Sequence, residues 1–587
     1  MDHQNSPVIS WIASAEKRIF MDDQPQESLQ GVRALRNEPV SFCLAYRSLL
    51  EKQPDGIIPN MPISVSVTSE TLPVSVYKVC TVPYAASECE DAADTARGCC
   101  PDILIPRVAS PRIVQLYPKN SPFIPFVEED ERSRLTASCA SAQSVYITVN
   151  QAGAALPAGK HSVRVQVISL LTGDELACHE VTVELIDALL TNPEFLYTNW
   201  FHYDCLSESH NIPVWTDEYF TMLGKYIKNA AEHGMNTLLT PAFTPALDTA
   251  IGTERMNVQL VDVVKENSGY TFDFTRMKRF VDIAKENGIR YFEHCHLFSQ
   301  WGAKCAINIY GTENGKYVRL FGWETSAWDS EYKTFLQAYL QAFLAFAEAE
   351  GISDALTFHL SDEPRPNHLE EYQNAVDIVK DILKGKRISD ALSDYDFYQR
   401  GLVENPIVYI PHADDFYGKC KQLMLYYTGG HGNCGISNRL LTSSPWSTRS
   451  LGLLLYRYEA KGFLHWAYNY TYGNMSRGFY QPAMEPAFYK NVPAATYLAY
   501  PDPIYGILPS LREKQMCSAI NDFRALYLLE SLIGRESVLA LCEGVLGKNI
   551  DYYTVPDSAE QMVALREAIN DAIVSEKRGR TDKAVTH

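Results

Sequence analysis

The sequence has no long hydrophobic run and is short of basic residues. No window offers the roughly 18 apolar residues that a membrane-spanning helix needs. The N-terminal stretch MDHQNSPVISWIASAEKRIF is broken by charges where a secretion signal would be apolar. We therefore expect a cytoplasmic protein with no membrane contact, or a secreted one whose leader has been removed. The net charge of -19, from 52 Lys and Arg against 71 Asp and Glu, argues against a nucleic-acid partner.

Paired cysteine motifs and phosphate-binding glycine motifs are also missing. The 14 cysteines are scattered along the chain, and the densest group, Cys80, Cys89, Cys99 and Cys100, lacks the two CxxC pairs of a zinc site. Neither GxGxxG nor GxxxxGK[ST] follows a predicted strand. The sequence therefore predicts free thiols, no metal and no cofactor.

Up to about residue 190, apolar and polar residues alternate with a period of two. Such alternation is typical of half-buried antiparallel strands separated by turns. We predict an immunoglobulin-like β-sandwich as an N-terminal domain over residues 1–190. The segments that carry this prediction are PISVSVTSE, VSVYKVCTV, SVYITVNQ, HSVRVQVISL and HEVTVELIDA.

From residue 191 onward, apolar strand patterns alternate with amphipathic helix patterns. Eight strand candidates occur, and Gly234, Gly288 and Gly351 each follow a helix pattern, as left-handed helix stops do. This order predicts an α/β fold, a (β/α)8 barrel over residues 191–535, with a doubly wound open sheet as the alternative. A C-terminal helical extension is predicted over residues 536–587.

Two adjacent acids stand at the end of the predicted fourth strand. The stretch FHLSDEPRP carries Asp362 and Glu363, and active sites of (β/α)8 barrels lie at the C-terminal strand ends. Other polar and aromatic residues are predicted at the same rim as substrate-binding candidates. They are His202, Asp204, Glu293, His296, Asp394, Tyr426, Tyr427, Trp466, Tyr468 and Asn469.

Carboxylates on such a rim indicate glycoside hydrolysis, and adjacency distinguishes between its mechanisms. Two acids that flank a glycosidic bond normally face each other across it, which neighbours on one strand do poorly. They suit substrate assistance instead, in which the 2-acetamido oxygen of the sugar is the nucleophile. Asp362 would then orient the acetamide, and Glu363 would act as general acid and base.

Several stretches together resemble the catalytic domain of glycoside hydrolase family 123, part of the domain of unknown function 4091 superfamily. They are WFHYDC, HLSDEP, ALSDYDFY and SNRLLTSSPWSTRSLGLLLYRYEAKGFLHWAYNY. The resemblance implies an exo-acting, retaining enzyme similar to β-N-acetylgalactosaminidases, with an oligosaccharide or glycoconjugate substrate. It carries the acetamide-stabilising role onto Asp362 and the acid/base role onto Glu363. Within the SNRLL stretch, Asn438 and Arg439 join the substrate-binding candidates.

Three alternatives stay open at this point. Glu363 could pair with a remote acid, Glu293 or Asp394, in a two-carboxylate mechanism on a sugar without an acetamide. The protein could instead be a carbohydrate-binding protein without activity. His294 and His296, as alternate residues of a strand, share a face and could bind a metal. The sugar, the linkage, exo or endo action and the oligomeric state are left undetermined.

Overall fold

The computed structural model describes most of the chain. The described residues are 6–50, 60–83, 98–114, 126–128, 130–267, 269–429 and 436–585. By compactness, the chain falls into two units. The first unit comprises Met1–Pro193, Gly432–Tyr456 and Leu508–His587, and the second comprises Glu194–His431 and Arg457–Ile507. The predicted three-domain division follows the texture of the sequence and stays a prediction.

The N-terminal part of the first unit is built of strands, which confirms the predicted β-rich region. Two five-stranded sheets form, in the orders β1-β3-β10-β5-β6 and β2-β12-β11-β4-β9. The strands are β1 (Val8–Ser14), β2 (Gly31–Leu35), β3 (Val40–Ser48), β4 (Asn60–Thr68), β5 (Val74–Pro83), β6 (Cys99–Arg107), β7 (Ile113–Val114), β8 (Phe126–Val127), β9 (Leu135–Ser138), β10 (Gln143–Val149), β11 (Gly159–Ser169) and β12 (Glu175–Ile186).

Strand β11 illustrates why this sequence folds as sheets. Val163, Val165 and Val167 alternate with Arg164 and Gln166, so three successive positions on one face of the strand are aliphatic. The three valines are fully buried in a core to which both sheets contribute. Burying one such side chain contributes about 1.5–3 kcal/mol, which is the driving force for stacking the two sheets.

The second unit alternates strands and helices, with a β insertion between its second and fourth strand positions. Its elements begin with β13 (Leu196–Asn199), α1 (Tyr203–His210), α2 (Asp217–Glu232), β14 (Thr237–Thr240), β15 (Asp262–Glu266), β16 (Gly269–Asp273), α3 (Thr275–Glu286), β17 (Tyr291–His294), β18 (Ile309–Glu313), β19 (Lys316–Phe321), α4 (Ser330–Ala349), β20 (Leu356–Phe358) and α5 (Leu369–Val379). Strands β15, β16, β18 and β19 form a separate four-stranded sheet that the sequence did not predict.

The remaining helices and strands complete the chain. They are β21 (Arg387–Ile388), β22 (Ala391–Leu392), α6 (Tyr395–Gln399), β23 (Ile407–Tyr409), α7 (Ala413–Phe416), β24 (Met424–Tyr426), α8 (Pro445–Arg449), α9 (Leu451–Arg457), β25 (Gly462–His465), β26 (Tyr500–Asp502), β27 (Gly506–Leu508), α10 (Leu511–Ile533), α11 (Arg535–Leu546) and α12 (Ala559–Val585). Helices α11 and α12 coincide with the predicted C-terminal helical patterns. None of the helices in the described residues is long and apolar enough to cross a bilayer.

The strands of the alternating region form two parallel sheets rather than a demonstrated closed barrel. Their orders are β13-β25-β24-β23-β22 and β14-β17-β20-β21. Within the described residues no ladder joins β13 to β14, and the predicted fifth strand is divided into β21, which pairs with β20, and β22, which pairs with β23. The predicted closed (β/α)8 barrel is therefore not shown. The division between β21 and β22 lies at Asp390. The Asp390 side chain, between β21 and β22, accepts hydrogen bonds from Leu360 N and Ser361 N, where a regular strand would offer its backbone.

The two parallel sheets nevertheless share one interior. Leu196, Leu239, Ile407 and Leu464, from strands of both sheets, belong to one apolar cluster. Gly462 lets β25 approach its neighbours closely, because an added Cβ would lie 2.6 Å from the Leu196 carbonyl oxygen. This interior carries the strand ends that position the acidic pair.

Candidate active site

Asp362 and Glu363 follow strand β20, and the backbone turns sharply at the second of them. Glu363 has a φ of +44°, in the left-handed region that residues other than glycine seldom adopt. Trp301 N donates to the Asp362 carbonyl at 2.8 Å, and Glu363 N donates to the Ala391 carbonyl at 3.1 Å. Successive residues of a regular strand face opposite ways. Because the chain leaves the extended conformation here, both carboxylates line one cavity.

The cavity lies within the second unit and has a volume of about 250 Å³. Its walls include five aromatic residues, Trp200, Trp301, Tyr426, Trp466 and Tyr489. Aromatic surfaces with a few convergent polar groups are typical of small-molecule sites. A cavity of this size and lining suits a single sugar ring with its substituents.

Tyr426, at the end of β24, holds Glu363. Its hydroxyl donates a hydrogen bond of 2.6 Å to Glu363 Oε1. Burial, followed by the negative charge of Glu363, raises the pKa of Tyr426 well above its ordinary value, so the phenol stays protonated and remains a donor. The Glu363 carboxylate is therefore fixed in orientation at the cavity wall.

Asp362 is held in an environment that disfavours its charge. Burial, the neighbouring Glu363 and then Asp390 raise the pKa of Asp362 well above its ordinary value, while His359 opposes them. The folded protein therefore favours the protonated form of Asp362 more than water does. A ligand that donates a hydrogen bond to Asp362 would stabilise the ionised form.

A buried chain of charges, formed by Glu293, His359 and Asp390, lies close to the acidic pair. His359 Nε2 donates to Glu293 Oε1 at 3.3 Å, and its Nδ1 lies 3.5 Å from Asp390 Oδ1. Burial alone would lower the pKa of His359, but the carboxylates of Asp390 and Glu293 outweigh it and raise the pKa to about 10. Tyr372 donates to Asp390 at 2.5 Å. An imidazolium between two carboxylates thus sits in a fully buried position.

The two carboxylates of this chain of charges, Glu293 and Asp390, each hold a different part of the site in place. Glu293 Oε2 accepts hydrogen bonds from Thr198 Oγ1 at 2.9 Å and from the Trp200 indole at 3.1 Å, which orients one cavity wall. Asp390 accepts from the two backbone N–H groups that precede Asp362. The predicted substrate-binding role of Glu293 stays a prediction, and the observed contacts give it a positioning role.

Replacing Asp390 with Asn should destabilise the protein by about 3 kcal/mol, because it removes one partner of a buried ion pair and leaves His359 short of counter-charge. Urea unfolding followed by circular dichroism measures the loss. Asp414→Asn is the matched control, since Asp414 is exposed and such surface changes usually stay within about 0.5 kcal/mol. Equal midpoints for the two variants would contradict a structural role for the ion pair.

His202 and Asp204 lie at the start of α1, where they brace a loop. Arg255 donates to both oxygens of Asp204, at 2.7 and 2.5 Å, and to His202 Nδ1 at 3.1 Å. His202 Nε2 donates to the Trp466 carbonyl at 3.0 Å. Burial, then the charge of Arg255, lowers the pKa of His202 to about 3, so the ring is neutral. The predicted strand here ends at Asn199, and these residues begin a helix instead.

Three further predicted residues are engaged in internal packing. Asn469 accepts from His202 N at 2.8 Å and donates to His202 O at 3.1 Å. The Tyr468 ring stacks on Phe201 at a centroid distance of 4.6 Å. Tyr427 is buried against Phe463. Their predicted contact with substrate is not tested by these observations, and the side chains already have protein partners.

The other predicted residues lie in three different settings. The stretch ALSDYDFY, predicted as a strand, forms helix α6 from Tyr395 onward. Asp394 is the N-cap of this helix and accepts from Asp396 N at 2.9 Å. Asn438 and Arg439 are buried and belong to the first compact unit. Of the predicted set, Asp362, Glu363, Tyr426 and Trp466 line the cavity.

The histidines of the HxH motif do not act together. His294 bonds to Tyr339 and to the Cys295 carbonyl, whereas His296 stacks on His359 at a centroid distance of 5.0 Å. His296, His359 and Asp390 present possible ligand atoms within 4.8 Å of one another. A protonated His359 offers no lone pair to a cation, so the trio in this state suits an ion pair better than a metal.

Sequence reasoning missed several cavity residues, among them Asp248, Trp301, Tyr489 and Lys490. Asp248 and Trp301 belong to the loops that follow β14 and β17, so the strand-end rule that found the acidic pair could also have found them. Tyr489 and Lys490 lie in a long connection after β25, where no periodic pattern marks them.

A pair of carboxylates in an aromatic cavity at the ends of parallel strands is the arrangement of a glycosidase. Residues 200–529 match the family model described as glycoside hydrolase 123, catalytic domain. This match covers more than half of the chain, which therefore belongs to glycoside hydrolase family 123. Membership supports glycosidase activity and a role in carbohydrate metabolism. No curated protein sequence matches the chain.

Two solved structures to which the chain is similar differ widely in how well they superpose. A family 123 glycoside hydrolase from Clostridium perfringens, described in connection with glycolipid glycan hydrolysis, is 12% identical and superposes with a TM-score of 0.69, over 99% of this chain and 100% of its own. A family 39 glycoside hydrolase from Bacteroides cellulosilyticus is 8% identical, with a TM-score of 0.32, over 78% of this chain and 80% of its own. The first likeness establishes a shared fold along the whole chain.

Proposed function

We propose that the protein is an exo-acting, retaining β-N-acetylhexosaminidase, similar to β-N-acetylgalactosaminidases, that uses the 2-acetamido group of its substrate as the nucleophile. The observation that carries the proposal is the adjacency of Asp362 and Glu363 on one wall of a single cavity. Carboxylates about 5–5.5 Å apart across the bond are needed when the enzyme supplies the nucleophile. Adjacent acids serve better when the substrate supplies it.

Each acid has one task in this mechanism. The Asp362 carboxylate accepts a hydrogen bond from the acetamide N–H and stabilises the positive charge that grows as the acetamide oxygen attacks the anomeric carbon. Glu363, held by Tyr426, protonates the departing glycosidic oxygen and later removes a proton from water. The pKa of Asp362 is raised in the free protein, so the substrate itself has to help stabilise the ionised carboxylate. The arriving N–H favours the ionised form of Asp362, which then supplies the negative charge that the cyclising acetamide needs.

The structure weakens the competing two-carboxylate mechanism. Glu293 is committed to His359, Thr198 and Trp200, and Asp394 caps a helix. Asp248 is another carboxylate on the cavity wall, and it already accepts hydrogen bonds from two tyrosine hydroxyls and a backbone N–H. A cavity of about 250 Å³ also favours exo action, because it accommodates one terminal sugar.

A paired substrate panel tests the proposal. We expect hydrolysis of 4-nitrophenyl β-glycosides of 2-acetamido-2-deoxy sugars at rates at least about 100-fold above those of the matching 2-hydroxy glycosides, since the latter lack the nucleophile. A thiazoline that mimics the cyclised acetamide should inhibit in competition with substrate. Equal rates for the two series, with no thiazoline inhibition, would favour the two-carboxylate mechanism.

The barrel is part of the same proposal. We propose that the two parallel sheets are the two halves of one (β/α)8 barrel. The parallel pairing of β13 with β25 and the apolar cluster common to both sheets support it.

A further inference from the structure

Asp248 is a third carboxylate of the cavity, and three donors hold its side chain. Its Oδ2 accepts from Tyr470 OH at 2.7 Å and from Met475 N at 3.0 Å, and its Oδ1 accepts from Tyr489 OH at 3.2 Å. Ser476 Oγ donates to the Asp248 carbonyl at 2.8 Å. Side chain and backbone are therefore both anchored by the segment after β25.

The loop that carries Asp248 is braced from its other side as well. Gln300 Nε2 donates to the Thr249 carbonyl at 2.6 Å, and Arg255 donates to the Leu247 carbonyl at 3.2 Å. Arg255 is itself locked by Asp204 in a buried ion pair. A carboxylate on so fixed a backbone is preorganised, and precise placement of this kind is characteristic of ligand-binding groups.

The contacts leave Asp248 with unused capacity towards the cavity. An ionised carboxylate has about four acceptor positions, and donors among the described residues fill three. Burial raises the pKa of both Tyr470 and Tyr489 above their ordinary values, so both remain donors and spread the negative charge of Asp248. Spreading the charge makes the carboxylate a poor nucleophile but leaves it a good acceptor for a neutral hydroxyl.

We propose that Asp248 accepts a hydrogen bond from a ring hydroxyl of the sugar in the cavity, and so determines which hydroxyl pattern the enzyme accepts. The proposal rests on the proposed glycosidase function and extends it to specificity. Hydroxyl groups are the donors that a sugar offers, and a carboxylate fixed in position reads their configuration. A non-reducing terminal sugar with a free hydroxyl at that place is the substrate that fits.

A cycle of variant and substrate tests this inference. The substrates are 4-nitrophenyl 2-acetamido-2-deoxy-β-D-galactopyranoside and its 3-deoxy, 4-deoxy and 6-deoxy analogues, with wild type and Asp248→Asn. In the wild type, loss of the recognised hydroxyl should lower kcat/KM by about 10–100-fold, as expected for a hydrogen bond to a charged group. In Asp248→Asn that ratio should fall towards one. General damage to the fold would lower kcat/KM for all four substrates alike and leave the ratio unchanged. An unchanged ratio would overturn the proposal.

A binding measurement separates this proposal from that of the overall function. Tryptophan fluorescence, reported by Trp200, Trp301 and Trp466 in the cavity wall, is titrated with free 2-acetamido-2-deoxygalactose and its deoxy analogues. If nothing is hydrolysed but Asp248→Asn removes the dependence of binding on one hydroxyl, the glycosidase proposal fails and this one stands. Equal dependence in both proteins, or no binding of any sugar by folded wild type, overturns it.

Two further variants serve as a substitute and as a charge control for Asp248→Asn. Tyr489→Phe removes one donor to Asp248 while keeping its charge, and it replaces Asp248→Asn if that variant does not fold. It should change the ratio for the same hydroxyl, and a change at a different hydroxyl or at none contradicts the proposal. Glu286→Gln, on the exposed last turn of α3, controls for the loss of one negative charge and should leave every ratio at its wild-type value.

Discussion

Replacing Glu363 with Gln should lower kcat by about 10²–10⁴-fold on glycosides with poor leaving groups. Gln keeps the size of the side chain and can still accept from Tyr426, but it has no proton to give to the glycosidic oxygen. Binding depends on the cavity walls and should change little. Steady-state kinetics on an oligosaccharide or a 4-methoxyphenyl glycoside, together with inhibitor binding, give the two quantities separately.

The leaving group provides the internal test of this role. The 2,4-dinitrophenolate leaving group departs without protonation. The Glu363→Gln variant should therefore lose much less of its rate of glycosidic cleavage on a 2,4-dinitrophenyl glycoside. Glu370→Gln, on the exposed first turn of α5, is the matched control and should behave as wild type on both substrates. An equal loss on good and poor leaving groups would remove Glu363 as the general acid.

Period-two patterning predicted the strands of the N-terminal region well, because burial there follows the side-chain alternation directly. Val163, Val165 and Val167 lie in the core as their spacing requires. The acidic pair was predicted by its position after an apolar strand. Its geometry was not predicted, because the turn at Glu363 is held by the Trp301 N–H, which donates to the Asp362 carbonyl, and by the Ala391 carbonyl, which accepts from Glu363 N. Trp301 and Ala391 are both distant from Glu363 in sequence.

The roles of the rim residues show where sequence reasoning stops. His202 and Asp204 stand at a strand end, as substrate-binding residues do, but their partner Arg255 is about fifty positions further along the chain and makes them a brace. Asp390, which supports the acidic pair, interrupts a strand that the pattern predicted as continuous. The sequence shows that a polar side chain stands at a strand end. Only the fold determines whether that side chain binds other protein groups or faces the ligand.

Replacing Asp362 with Asn should remove activity and raise stability together. Without the carboxylate, the positive charge on the cyclising acetamide loses its counter-charge, and we expect kcat on acetamido substrates to fall by about 10²–10³-fold, as when a preorganised electrostatic group is lost. Thiazoline binding should weaken in parallel. Asp394→Asn is the control for activity and stability, because Asn caps a helix about as well as Asp.

The stability gain follows from the sign of the pKa shift. Folding raises the pKa of Asp362 above the ordinary value of 3.8, so the folded protein binds this proton more tightly than the unfolded chain does. Stability that depends on Asp362 is therefore greatest at low pH and is lost as the pH rises above about 3.8. Asn does not titrate and carries no such loss. The Tm of Asp362→Asn should exceed that of wild type at pH 7, and the difference should vanish near pH 4. A lower Tm at pH 7 would mean that the charge of Asp362 stabilises the free fold. A higher Tm with lost turnover would mean that the fold tolerates a destabilising carboxylate because the reaction requires it.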